Sequence, residues 1–163
     1  MNQDPNLHVT TLPNGLRVAT RLMPGLHSTA LGIWVNAGGR NERPEQNGIA
    51  HFLEHMAFKG TATRTALQIA EAIEDVGGYI NAYTSRDATA YYVRVLEDDV
   101  DLAFDVMSDI VLNPVFDERE IEVERGVILQ EIGQSLDTPD DIIFDWLQEA
   151  AYPEIGRASC RER

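Results

Sequence analysis

The sequence predicts an α+β domain, in which a largely antiparallel sheet packs against several helices. Short segments with strand character are separated by turn signals, and longer segments carry apolar residues at helical spacing. The order of the two kinds is β-β-β-α-α-β-β-α-α-α. At 163 residues, the chain is long enough to bury a core of its own.

Five strands are predicted. Residues 7–12 and 16–22 flank the turn signal Pro13-Asn14-Gly15, which predicts a hairpin. Residues 30–37 alternate between the two faces of a third strand, which ends at Gly38-Gly39. Residues 79–84 and 89–96 predict a further antiparallel pair, joined by a short polar turn.

The helices are predicted from caps and apolar spacing. One helix contains residues 51–55, and the boundaries of the other four follow from capping boxes, glycines and prolines. The signals are Thr65 with Gln68 and then Gly77-Gly78 for the second helix, Val100 and Asn113-Pro114 for the third, Asp117 to about Ser135 for the fourth, and Thr138-Pro139 through Tyr152 for the fifth.

Composition excludes several classes of protein. Hydrophobic residues at 44% and charged residues at 25% are ordinary for a globular domain, and no apolar run is long enough to cross a membrane. The net charge of −14 repels nucleic acids and acidic lipids, so we expect neither as a partner, and it favours basic peptides. Residues 1–5 have no targeting character, from which we expect a cytoplasmic location.

The pentad His51-Phe52-Leu53-Glu54-His55 carries the clearest chemistry. On a helix, His51 and His55 lie about 40° apart, so both imidazoles can bind one cation such as Zn²⁺. Glu54 lies on the same side and can accept a proton from water. We expect Ile49, Phe52, Leu53 and Met56 to form the packing face. Lys59, the single lysine of the chain, follows the helix, where we expect it to interact with the helix dipole.

A third metal ligand is expected at Glu131. Glu124 and Glu131 are seven residues apart, about 20° on a helix, and both fall among apolar positions where unpaired carboxylates are costly. A bound cation at Glu131 removes that cost. For Glu124, a salt bridge is the alternative explanation.

These motifs resemble the pitrilysin/insulinase family of zinc peptidases, and most closely its bacterial members that look like mitochondrial processing peptidase. The resemblance runs from about residue 7 to residue 152 and includes Gly77-Gly78-Tyr79-Ile80-Asn81-Ala82. It implies that His51, His55 and Glu131 bind one zinc ion and that Glu54 is the general base. It also implies that Glu124 supports the site without binding the ion itself.

The same resemblance implies how substrate binds. Family members bind a peptide as an added strand along a sheet edge, which implies a role for Gly78, Asn81, Ala82 and Tyr83. For Asn81 and Tyr83, the alternative is sheet packing and hydrogen bonding at the end of the strand. The resemblance also implies a second homologous half, on the same chain or on a separate subunit, that encloses the substrate.

Residues 1–154 are therefore expected to be an incomplete N-terminal catalytic domain, with little or no peptidase activity alone. Residues 155–163 (IGRASCRER) change composition abruptly and resemble an in-frame translation of a sequencing adapter, so we expect them to be read-through.

The function expected of the parent protein is zinc-dependent endopeptidase activity. A non-catalytic scaffold or partner subunit of the same family is the alternative, and a purely structural zinc site lacks a fourth ligand.

Overall fold

The computed structural model describes residues 4–151 of the chain. Tyr152, where the last helix was predicted to end, and the predicted read-through segment 155–163 lie outside the described residues. The elements are β1 (Leu7–Thr11), β2 (Arg17–Arg21), β3 (Ser28–Val35), α1 (Ile49–Ala57), α2 (Ala66–Glu74), β4 (Tyr79–Thr84), β5 (Thr89–Leu96), α3 (Val100–Leu112), α4 (Glu118–Leu136) and α5 (Pro139–Ala151).

The strands form two antiparallel sheets. β1 and β2 pair as the predicted hairpin, and Gly15 takes the positive φ of 89° that its turn needs. The second sheet has the order β3-β5-β4, with both pairings antiparallel. The predicted α+β class with a largely antiparallel sheet is confirmed.

One face of the three-stranded sheet carries the core. Tyr91, Val93 and Val95 of β5 are buried against α2 and α3. Successive residues of a strand point to opposite faces, so Tyr92 and Arg94 lie on the other, more exposed face. α1 packs against β4 and α4, and α5 packs on α4. The layering thus places α1 and α4 side by side at the β4 end of the sheet.

The predicted bounds of β3 are wrong by two residues at each end. β3 occupies Ser28–Val35 rather than 30–37, because its pairing begins opposite Leu96 and ends opposite Thr89. Beyond the strand, the Ala37 carbonyl accepts a hydrogen bond from the Thr89 side chain instead (2.9 Å).

The predicted packing face of α1 is only half correct. Met56 is completely buried and Phe52 is half-buried, but Ile49 and Leu53 are about half exposed. The helix is only nine residues long and packs near its C-terminal end, so its first turns are less covered.

Candidate metal centre

Helix α1 is held in place by a carboxylate from the preceding loop. Its N-cap position is Gly48, which has a φ of 92° and no side chain that could cap the helix. Glu42 supplies the cap instead, since its two carboxylate oxygens accept hydrogen bonds from the amides of Gly48 and Ala50, both at 2.6 Å. The negative charge of Glu42 also interacts favourably with the positive end of the helix dipole.

The structure brings the three predicted metal ligands together. The Nε2 atoms of His51 and His55 lie 3.1 Å apart, and Oε2 of Glu131 is 3.7 Å and 3.6 Å from them respectively. A tetrahedral zinc site with bonds of about 2.0–2.1 Å places its ligand atoms roughly 3.3–3.5 Å apart. The three donors therefore fit one zinc ion. Among the side chains that the structure describes, this is the one group of three such residues whose ligand atoms all lie within 4.8 Å of one another.

A buried carboxylate orients the second histidine. Nδ1 of His55 lies 2.9 Å from Oε2 of Glu124, whose other oxygen, Oε1, lies 2.5 Å from Nζ of Lys59. Because a carboxylate only accepts, the Nδ1 atom carries the proton, and the lone pair of Nε2 is left for the cation. Burial raises the pKa of Glu124, but the hydrogen bonds from Lys59 and His55 outweigh it, and the pKa lies below its ordinary value.

The first histidine is electrostatically prepared to bind a cation. Burial lowers the pKa of His51, and the nearby His55 lowers it further, while Glu54 and Glu131 act in the opposite direction. The net result is a pKa below its ordinary value, so the imidazole is neutral near pH 7. A neutral imidazole has the free lone pair that a metal ligand requires.

The predicted general base, Glu54, is held from the sheet. The hydroxyl of Thr84, the last residue of β4, donates a hydrogen bond to Oε2 of Glu54 at 2.5 Å. The Tyr91 ring is buried nearby, and burial together with the Glu54 charge raises the pKa of its phenol to about 12. Glu54 thus has a fixed orientation beside the histidine pair, next to a tyrosine that stays neutral.

The predicted substrate-binding residues lie on β4, which has a free edge within the described residues. The Ser85 amide bonds to the Ala88 carbonyl at the hairpin turn (2.9 Å). Since hydrogen-bonded and non-bonded pairs alternate in antiparallel sheets, the main-chain groups of Ile80, Ala82 and Thr84 point away from β5. This edge ends at Thr84, beside Glu54.

The side chains of these residues have partners within the sheet. Asn81 accepts a hydrogen bond from the Ala82 amide (2.8 Å) and donates one to the Tyr79 hydroxyl (2.6 Å). The hydroxyl of Tyr83 accepts a hydrogen bond from the indole of Trp34 (3.4 Å). The Asn81 contacts are within β4, whereas the Tyr83 contact reaches β3 across the sheet.

Gly78 has a packing reason to be glycine. A Cβ atom there would lie 2.8 Å from the Ile73 side chain and 2.9 Å from the Val95 side chain. The Gly78 amide also bonds to the Ile73 carbonyl (2.8 Å), which links the end of α2 to the start of β4.

Sequence reasoning missed three residues of this centre. Glu42 and Thr84 carry no local signal, because each contacts its partner only through the folded loop or strand. Lys59 was predicted to interact with the dipole of α1, and the contact that sequence reasoning missed is the ion pair of its ammonium group with Glu124 on α4. Glu124 thus makes the salt bridge that the sequence offered as an alternative, and it also contacts His55.

Comparison with known proteins agrees with this geometry. The sequence model of the family described as Insulinase (Peptidase family M16) matches residues 17–159. A probable mitochondrial-processing peptidase subunit beta of Arabidopsis thaliana is 48% identical over 155 residues, which cover 94% of this chain and 29% of that protein. An uncharacterized zinc protease of Rickettsia felis is 48% identical over 149 residues, 91% of this chain and 36% of that protein.

A solved structure supports the same relationship. The crystal structure of a protease from Helicobacter pylori aligns with a TM-score of 0.80 and 29% sequence identity, covering 86% of this chain and 34% of that one. The chain thus spans about a third of the length of the relatives it matches. None of the helices within residues 4–151 combines the length and the hydrophobicity that a membrane span requires.

Proposed function

We propose that this chain, which belongs to the insulinase family (peptidase family M16), is the catalytic part of a zinc-dependent endopeptidase. The observation that carries the proposal is the convergence of His51, His55 and Glu131 on one point. Glu54 lies on α1 with the two histidines, whereas Glu131 reaches the same point from α4. A scaffold subunit has no need of such a set.

In this proposal, His51 and His55 bind zinc through Nε2 and Glu131 binds it through a carboxylate oxygen. Zinc, when bound there, polarises the carbonyl of the scissile peptide bond and makes water more acidic. Glu54 accepts the proton of the attacking water and delivers it to the leaving amine. The hydrogen bond from Thr84 holds the Glu54 carboxylate in place, and Glu124 holds the His55 ring.

We propose that the peptide binds as an added strand along the free edge of β4. The Ala82 carbonyl, and its amide once the Asn81 side chain releases it, bond to the peptide, while Gly78, Asn81 and Tyr83 shape the strand. Because the free edge of β4 ends at Thr84, a peptide bound along it extends toward Glu54. The net charge of −14 favours extended, basic segments, so hydrolysis of positively charged peptides should exceed that of negatively charged ones and should fall with salt.

We further propose that residues 1–154 are an incomplete N-terminal half of a longer catalytic unit. A second family half, on the same polypeptide or on a separate subunit, completes the enclosure of the substrate. The uninterrupted gene distinguishes the two arrangements, because it either encodes that half or leaves it to a separate subunit, and it shows whether residues 155–163 are retained or replaced. A gene product that lacks the half and is fully active without a second subunit would contradict the proposal.

The decisive experiment compares wild type with Glu54→Gln in the uninterrupted gene product. We expect both to contain one zinc ion per site and only the wild type to hydrolyse peptides, because the amide cannot accept a proton. His51→Ala is the matched control, which should lose zinc as well as activity. Absence of zinc from the wild type would favour the scaffold alternative, and full activity of Glu54→Gln would remove Glu54 from its proposed role.

A further inference from the structure

The single lysine of the chain is placed at the metal centre. Twelve of the thirteen basic residues are arginines, and Lys59 is the exception. Its Nζ atom lies 2.5 Å from Oε1 of Glu124, and its side chain is 30% exposed against 3% for the Glu124 side chain. The ammonium group therefore lies at the boundary between solvent and a buried carboxylate.

The Lys59 ammonium group stabilises the buried Glu124 carboxylate. A buried carboxylate with an unsatisfied oxygen is strongly disfavoured, and the residue as a whole is only 2% exposed. One oxygen, Oε2, is occupied by Nδ1 of His55, and Lys59 occupies the other. The two contacts together fix the plane of the carboxylate and leave Oε2 facing the histidine.

The backbone that carries Lys59 is itself fixed. The Lys59 amide bonds to the Met56 carbonyl (3.1 Å), and Gly60 adopts a φ of 126° that turns the chain away from α1. The next residue, Thr61, donates its hydroxyl to the buried Asp109 of α3 at 2.6 Å. The ammonium group thus reaches Glu124 from an anchored turn.

We propose that Lys59 is a positioning residue for the zinc ligand His55 and acts on it through Glu124. The ammonium group holds the carboxylate, the carboxylate holds the Nδ1 proton, and the Nε2 lone pair is thereby directed at the zinc position. This inference rests on the proposed zinc site. A simple surface ion pair would leave zinc affinity unchanged when broken, whereas this chain of contacts would not.

A double-mutant cycle on the full 163-residue chain tests the proposal. Zinc dissociation constants are measured by competition with a chromophoric chelator for wild type, Lys59→Met, Glu124→Gln and the double variant. We expect Glu124→Gln to weaken zinc binding about 10–100-fold and Lys59→Met about tenfold. The double variant should bind zinc about as weakly as Glu124→Gln alone, because Lys59 acts only through that carboxylate.

Arg125→Met is the matched control. Arg125 carries the same positive charge as Lys59 and follows Glu124 in the sequence. Its side chain is exposed, however, and its ion-pair partner is Glu122. Its removal should leave zinc affinity unchanged. In zinc-loaded protein, the Nδ1 proton resonance of His55 should move upfield in Lys59→Met and stay in place in Arg125→Met.

The outcomes separate the two proposals. Zinc binding by wild type with equal affinity in Lys59→Met, or a double variant whose loss is the product of the two single losses, would overturn the role of Lys59 alone. A wild type that binds no zinc would overturn the zinc site and this inference with it. If Lys59→Met does not fold, acetylation of the folded chain neutralises this one lysine side chain, and it should lower zinc affinity by the same factor; unchanged affinity would again overturn the role.

Discussion

The cap on α1 makes a specific prediction about stability and metal binding. Replacing Glu42 with alanine removes both acceptors from the helix N-terminus, where Gly48 offers no substitute. Loss of an N-cap costs about 0.5–2 kcal/mol, and loss of the favourable charge at the helix end adds about 0.3–1 kcal/mol. We therefore expect the free energy of unfolding to fall by about 1–3 kcal/mol.

The effect should extend to the metal centre, because His51 lies in the first turn of the helix that Glu42 caps. For a domain of this size, each kcal/mol lowers the melting temperature by about 2–4 °C. Thermal unfolding of the zinc-free chain, followed by circular dichroism, should thus show a decrease of about 2–12 °C. Zinc affinity, measured by chelator competition, should also decrease, because more of the first turn is frayed.

Glu45→Ala is the matched control for this prediction. Glu45 lies in the same loop, is exposed, and makes none of the contacts that Glu42 makes with α1. Its removal should change neither the melting temperature nor the zinc affinity. An unchanged melting temperature in Glu42→Ala, or equal decreases in both variants, would refute the assignment of Glu42 as the cap.

Three further predictions follow from single contacts of Thr84, Asp109 and Ala82. Thr84→Val should lower kcat/KM of the uninterrupted gene product about 10–100-fold, the equivalent of a charged hydrogen bond of about 1.5–3 kcal/mol, without loss of zinc, and Thr84→Ser should restore it. Asp109→Asn should destabilise the chain by about 3 kcal/mol, because it breaks the ion pair between the buried Asp109 carboxylate and the partly exposed Arg64. Hydrogen bonding, led by Thr61, holds the pKa of Asp109 below its ordinary value of about 3.9. Its contribution to stability is therefore complete above about pH 5 and is lost as the pH falls further. Chemical denaturation of wild type between pH 2 and 7 should show this loss, and Asp109→Asn should lack this contribution. Ala82→Pro should leave the pairing of β4 with β5 intact, because the Ala82 amide points to the free edge, where it donates to the Asn81 side chain. It should abolish peptide binding, measured by calorimetry, because an added strand needs that amide as a donor. Unaltered binding would contradict binding along that edge.

The sequence predicted most of the fold because its signals are local. β4 and β5 were placed to the residue by alternation and the turn between them, and α4 by the Asp117 side chain, which accepts hydrogen bonds from the amides at the helix start. The limits of β3 could not be read locally, since they depend on where β5 offers partners. Strand registers of this kind are set by the pairing partner.

The positions of the proposed metal ligands could be predicted for the same reason, whereas the residues that support them could not. Helical spacing alone places His51 and His55 on one side of α1, and the seven-residue spacing places Glu124 and Glu131 on one side of α4. How far each is buried depends on how the helices cross: Glu124 is almost completely covered, whereas the Glu131 side chain is 42% exposed. Contacts such as that between Lys59 and Glu124 join residues 65 positions apart, and no local pattern indicates them.

A crystal structure of the chain grown with zinc tests the central claim most directly. Anomalous diffraction recorded above and below the zinc absorption edge identifies the ion and its position. We expect one zinc ion in contact with Nε2 of His51, Nε2 of His55 and a carboxylate oxygen of Glu131, with Nδ1 of His55 still bonded to Glu124. Zinc bound elsewhere, or no anomalous peak between α1 and α4, would contradict the assignment of this cluster as the metal centre of a peptidase.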